Sequence, residues 1–109
     1  MRTLAVILTL LWASPAGALT IEEVLAGDIH MATLLTGMSG NTWSWANARI
    51  TNRGEKPLYC APENLAVTDA QYLSIFNAYI TNHPEEGKAQ YIELPYVLLN
   101  ALVDAFPCK

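Results

Sequence analysis

Two cysteines, two histidines and ten carboxylates are the side chains of this 109-residue chain with bonding, ligating or proton-moving chemistry. Cys60 and Cys108 are the only thiols. No Cys-x-x-Cys is present and neither histidine lies near a thiol in sequence, so nothing local activates either sulfur as a redox or nucleophilic group. In an oxidising compartment an even pair in a small domain closes a disulfide. The Cys60–Cys108 loop is long, and chain-entropy estimates value such a bridge at about 4 kcal/mol. That is a large share of the stability open to so short a chain.

The two histidines, His30 and His83, do not make a metal site, which would want three or four ligands at recognisable spacing. No metal and no cofactor is expected. His30 follows Asp28 at the start of a helix, where it reads as a surface residue. Gly37-Met38-Ser39-Gly40-Asn41 imitates a nucleophile elbow but lacks the fifth-position glycine and the preceding strand. Gly37 and Gly40 are not followed by the Lys-Ser/Thr of a phosphate loop. Glu22-Glu23 and Glu85-Glu86 are neighbours in sequence and read as solvated charge. No converging set of catalytic groups emerges, so the chain is not expected to be an enzyme.

The elements that hold these residues can be read from caps and breakers. Thr20-Ile21-Glu22-Glu23 is a capping box that opens a short helix ending near Gly27. Asp28 is a second N-cap. From it one long helix runs to about Asn52, with Ile29, Ala32, Leu35 and Met38 recurring at helical steps. Gly37 and Gly40 leave two options. Either the helix breaks near Gly40, since each interior glycine costs about 1 kcal/mol relative to alanine, or both glycines lie on one face and admit a close neighbour. Asn52-Arg53-Gly54 stops the helix. Pro57 and Pro62 keep the next segment extended or turned. Thr68 and Gln71 form another capping box, with Val67 stapled against Tyr72. That helix continues through Ile75, Phe76, Tyr79 and Ile80 to Asn82-His83-Pro84. Glu85 to Glu93 reads as an acidic loop, with a short extended piece at Gln90-Tyr91-Ile92. Pro95 suits the first turn of a last helix, whose buried face is Val97, Leu98, Ala101, Leu102 and Ala105, and which Pro107 stops.

Trp43 and Trp45 need separate accounts. Residues two apart on a helix point about 200° apart, so both indoles cannot fill one core face. One is core; the other meets a second internal surface or a partner. Burial of both between different helices is the favoured expectation.

The first residues are of another kind. A charged start at Arg2, the apolar run Leu4 to Trp12 and the small-residue ending Ala16-Gly17-Ala18 form a signal peptide cleaved after Ala18. The run is about half of the roughly 20 apolar residues that span a bilayer, so no membrane anchor is expected after cleavage. Residues 19–109 form one domain. The chain carries a formal net charge of −4, and its basic residues are scattered, which argues against nucleic acid.

Several stretches together resemble the Rap/Tai family of periplasmic immunity proteins, which protect bacteria from peptidoglycan amidases delivered by type VI secretion. The resemblance spans residues 31–108. It comprises Gly37-Met38-Ser39-Gly40 leading into Trp45-Ala46-Asn47-Ala48, then Leu58-Tyr59-Cys60-Ala61-Pro62, then Leu65-Ala66-Val67-Thr68-Asp69-Ala70-Gln71. Tyr79-Ile80, His83-Pro84, Leu98-Leu99-Asn100-Ala101-Leu102 and Phe106-Pro107-Cys108 complete it. The chain departs from some members in having no second cysteine pair. The resemblance implies a mainly helical, often dimeric protein that binds a toxin and blocks its active-site cleft. Family members present a loop between late helices to the amidase; here that is His83 to Gln90, with Glu85, Glu86 and Lys88.

The sequence thus sets out an all-α bundle of about four helices with one disulfide, exported to the periplasm. Its expected role is that of a toxin inhibitor. A small disulfide-stapled periplasmic chaperone or envelope stress protein is the alternative.

Overall fold

The structure, a computed structural model, describes residues 19–62 and 67–109. The signal-peptide expectation at residues 1–18 therefore lies outside the described residues, as do Leu65 and Ala66. Five α-helices are described: α1 (Ile21–Ala26), α2 (Ile29–Asn52), α3 (Asp69–Asn82), α4 (Pro84–Gly87) and α5 (Leu94–Ala105). A 3-10 turn at Tyr91–Glu93 precedes α5. Among the described residues the only strand-like feature is one antiparallel bridge between Thr20 and Gln90. The fold is all-α.

The helix starts follow the caps. The Thr20 hydroxyl accepts from the Glu23 amide at 3.2 Å, and the Glu23 carboxylate accepts from the Thr20 amide at 3.1 Å. Thr68 and Gln71 make the same reciprocal pair. Each box occupies amides that a helix N-terminus leaves without partners. Asp28 accepts from the His30 amide at 2.8 Å, and His30 itself is exposed. Helix α2 ends in a Schellman turn: the Gly54 amide donates to Thr51 and the Glu55 amide to Ile50. Gly54 sits at φ +76°, where a side chain would be strained.

Helix α2 does not break. It runs unbroken through Gly37 and Gly40, and both glycines are buried where α3 crosses. A Cβ on Gly37 would stand 2.7 Å from the Asp69 Cβ, and one on Gly40 would stand 2.6 Å from Cε1 of Tyr72. The propensity lost at each glycine is offset by the close approach of α3 that it allows.

Helices α3 and α5 supply most of the core, with Tyr72, Phe76, Leu94, Val97, Leu98, Ala101 and Leu102 all buried; Ile21 from α1 closes one end. Val67 packs against the same cluster as Tyr72, in the position the staple requires. One expectation for a buried face is corrected, at Ala105, and the apolar period of α2 does not mark a single buried face. Ile29 and Met38 are each 59% exposed, because α3 packs along the face of α2 that carries Ala32, Thr36 and Gly40. Ala105 is exposed although Leu102, in the same last turn of α5, is buried, so the buried face of α5 ends at Leu102.

The indoles divide. Trp43 packs against the core and donates from Nε1 to the Pro95 carbonyl at 2.7 Å, tying α2 to the first turn of α5. Trp45 is 75% exposed. The favoured expectation of burial for both is therefore wrong: one indole is packed on the core and the other faces outward.

The described residues that follow α2 are pinned at Leu58, Tyr59 and Cys60. Asn47 accepts from the Leu58 amide at 2.7 Å and donates to the Tyr59 carbonyl at 2.9 Å. The Cys60 amide donates to the Phe106 carbonyl at 2.8 Å. Cys60 and Cys108 are bonded, with Cα atoms 5.0 Å apart across 48 residues of sequence. Tyr59 is thereby folded into the core, 6.4 Å from the Phe106 ring.

The candidate partner-binding corner

The segment after α3 reads as a loop in the sequence. The structure instead places helix α4 at Pro84–Gly87, with Pro84 in its first turn and Glu85 and Glu86 beside it. Proline there lacks only an amide that would have had no partner, and two carboxylates favour the positive end of a helix. The expected extended piece is likewise reduced to the Thr20–Gln90 bridge, and Tyr91–Glu93 is a 3-10 turn.

His83 is the hinge of this corner. Its ring stacks on Tyr79, four residues back, at a centroid separation of 4.1 Å, and its Nδ1 lies 3.0 Å from the Tyr79 carbonyl. Four residues is one helical turn, which brings such rings together. The His83 amide caps α3 by donating to Tyr79 at 2.9 Å, while its carbonyl accepts from the Glu86 amide at 3.0 Å. One residue thus ends one helix and starts the next.

Glu86 turns inward. It is half-buried and accepts from the Asn100 side-chain amide on α5 at 3.2 Å. The Tyr79 phenol is pushed up to about 12 by lost hydration first, then by its hydrogen bond to Glu86 and that group's charge, and last by Asp104. Gly87 is buried against α1: a Cβ there would meet the Ile80 side chain at 3.1 Å and the Glu22 Cβ at 3.4 Å. The chain then pairs with the N-terminal segment, the Ile21 amide donating to Ala89 and the Tyr91 amide to Leu19, each at 2.9 Å.

Of the four residues singled out in the sequence, Glu85 and Lys88 are exposed, and His83 and Glu86 are half-buried. The corner therefore divides into two bracing side chains and two that face water. Tyr79 and Asn100, which hold the braces, were not singled out. The four-residue spacing of Tyr79 and His83 was a signal for the first; Asn100 had none.

Elsewhere, Tyr59, Tyr72, Val67, Leu102 and Phe106 line a cavity of about 270 Å³ at the junction of α2, α3 and α5. A wider cleft of about 560 Å³ follows the pinned segment past Asn47 and Cys60. Among the described residues, no three His, Cys, Asp or Glu side chains gather to hold a metal ion. No helix among them is long and apolar enough to cross a membrane. No family model matches the chain, and neither a curated protein nor a solved structure matches it.

Proposed function

We propose that this chain is a periplasmic binding protein of the immunity type, one that inhibits a peptidoglycan amidase effector by occupying its active-site cleft. The resemblance to the Rap/Tai family motivates the reading. The observation that carries it is the His83–Lys88 corner, where Glu85 and Lys88 face solvent on a turn that Tyr79, Asn100 and α1 brace from behind. A pre-formed projection loses little conformational freedom when it seats in a cleft. Its opposite charges would steer encounter and reject wrong partners more than they add affinity.

In this reading the chain turns over no substrate and needs no cofactor. Export to the toxin's compartment is part of the proposal, and the Cys60–Cys108 bond is compatible with an oxidising space.

The test is capture and inhibition together. The exported protein, recovered from periplasm, should bring down a cell-wall amidase identified by mass spectrometry, and adding it to that enzyme should stop cleavage of peptidoglycan peptides. Cells lacking the gene should be lysed by neighbours that deliver the amidase. Recovery without any amidase, together with unchanged survival of the deletion strain, would defeat the reading.

A further inference from the structure

Helix α5 is apolar nearly all round. From Leu94 to Ala105 its only charged residue is Asp104. One side of it is spent on the core, and the side facing water should then be polar, as on an ordinary surface helix. It is not. Ile92, in the 3-10 turn that leads into α5, is 73% exposed, Tyr96 is 69% exposed and Val103 is 42% exposed, with Leu99 half-buried between the last two. Their spacing of four, three and four residues aligns them along one side of the helix. The turn that carries Tyr96 is held in place, because the neighbouring Pro95 carbonyl accepts from the Trp43 indole.

We propose that this stripe is the apolar half of the surface whose charged half is the His83–Lys88 corner, that Tyr96 is its anchor, and that both halves seat on the same partner. The inference rests on the immunity reading and adds to it the part of the contact that supplies affinity. Two observations join the stripe to the corner. Asn100, which donates to Glu86 in α4, stands one helical turn beyond Tyr96 and three residues before Val103, so the corner is packed against the edge of the stripe. Lys88 and Ile92 are also four residues apart in one short segment, and both are exposed. A partner that covers one half therefore meets the other.

The two halves do different work. Glu85 and Lys88 stand in water, where charges add little to affinity but speed and select encounters. Tyrosine is enriched in the buried middle of interfaces, whereas lysine and glutamate are depleted there and belong to the rim. A tyrosine ring also brings a large contact area with only two rotatable bonds to fix. The partner is thus a protein with a pocket wide enough for a phenol ring, apolar in its walls and bordered by mixed charge. The corner sets how fast the complex forms, and Tyr96 sets how long it lasts.

The test is binding of the exported protein to the amidase it captures from periplasm, with association and dissociation rates read separately. Tyr96→Ala raises the dissociation rate at least about tenfold and leaves the association rate within about twofold. Tyr96→Phe keeps the ring and stays within about threefold of the parent in both rates. Neither substitution shifts the melting temperature, since the side chain is 69% exposed. Hydroxyl-radical footprinting finds Tyr96 and Ile92 protected in the complex and open in the protein alone. An amidase held as long by Tyr96→Ala as by the parent, with Tyr96 still open in the complex, overturns this inference and leaves the immunity reading standing. Protection of Tyr96 in the protein alone, rising with its concentration, gives the stripe to a second copy and overturns it as well. Capture of no amidase defeats the immunity reading and this inference with it.

Discussion

The ring of Tyr72 occupies the space in which a side chain at Gly40 would stand, with Cε1 only 2.6 Å from the place a Cβ would take. Tyr72 is 3% exposed and is enclosed by the core. Helix α2 therefore keeps a glycine in its middle because α3 leans on it there.

Gly40→Ala tests this contact. Helix propensity alone predicts a gain of about 1 kcal/mol. Overpacking against a ring enclosed by the core costs about 1–3 kcal/mol, and at so short a distance the upper part of that range applies. The expected net effect is a loss of about 1–2 kcal/mol, read as a lower urea midpoint with unchanged slope. A variant as stable as the parent would show that α3 does not press on Gly40.

Asn47→Ala removes both hydrogen bonds that pin Leu58 and Tyr59. The loss should be about 1–3 kcal/mol, since the Asn47 side chain is part-buried and the freed backbone groups compete poorly for water. Asn47→Asp is the sharper variant. It keeps an acceptor for the Leu58 amide but turns a carboxylate oxygen toward the Tyr59 carbonyl, so it should rescue little. Hydrogen exchange at Leu58 should quicken in both.

Alkali should loosen the fold in a defined window. Burial raises the Tyr59 phenol from 10.0 to about 12, with Tyr72 adding repulsion, and Tyr79 is raised to about 12 as well. Tyr72 is raised too, by burial first, with Ser44 opposing and Asp69 assisting. In each case the fold favours the neutral phenol and the unfolded chain ionises first. Stability is therefore whole below about pH 10 and is lost as pH climbs from there toward about 12. Denaturant midpoints across that window, with tyrosinate absorbance followed on the same samples, check it. A flat midpoint would contradict the burial of Tyr59 and Tyr72 and the placing of the Tyr79 phenol against Glu86.

Reduction of Cys60–Cys108 should cost about 4 kcal/mol, because the bond closes a loop spanning 48 residues. Cys60→Ser with Cys108→Ser should lower the melting temperature by a similar free energy. The Cys60 amide bond to Phe106 should weaken with it, which amide exchange at Cys60 would report.

Much of this arrangement was legible in the residues. Thr20 and Thr68 fixed two helix starts through side chains that bond only to their own first turns, so no tertiary knowledge was needed. The disulfide followed from there being no other thiol. The choice between a broken and an unbroken α2 was not legible, because it depends on what packs at Gly37 and Gly40. Helix α4 was missed although its signals were present: a proline followed by two acids is a helix start, but a four-residue turn is too short to show a period. Trp45, Ile29 and Met38 lay beyond reach for another reason. Apolar residues occur nearly all round α2, so only the positions of α3 and α5 decide which of them meet water. Within the candidate corner, sequence could nominate Glu85, Glu86, Lys88 and His83 but could not say that Glu86 and His83 face inward.

The immunity reading turns most directly on one comparison: inhibition of the amidase that the exported protein captures from periplasm, by the parent chain and by a Glu85→Lys, Lys88→Glu double variant of equal melting temperature. The account predicts stoichiometric inhibition by the parent and at least about tenfold weaker inhibition by the variant, arising mainly in the association rate. Equal inhibition by both proteins, or none by either, would contradict it.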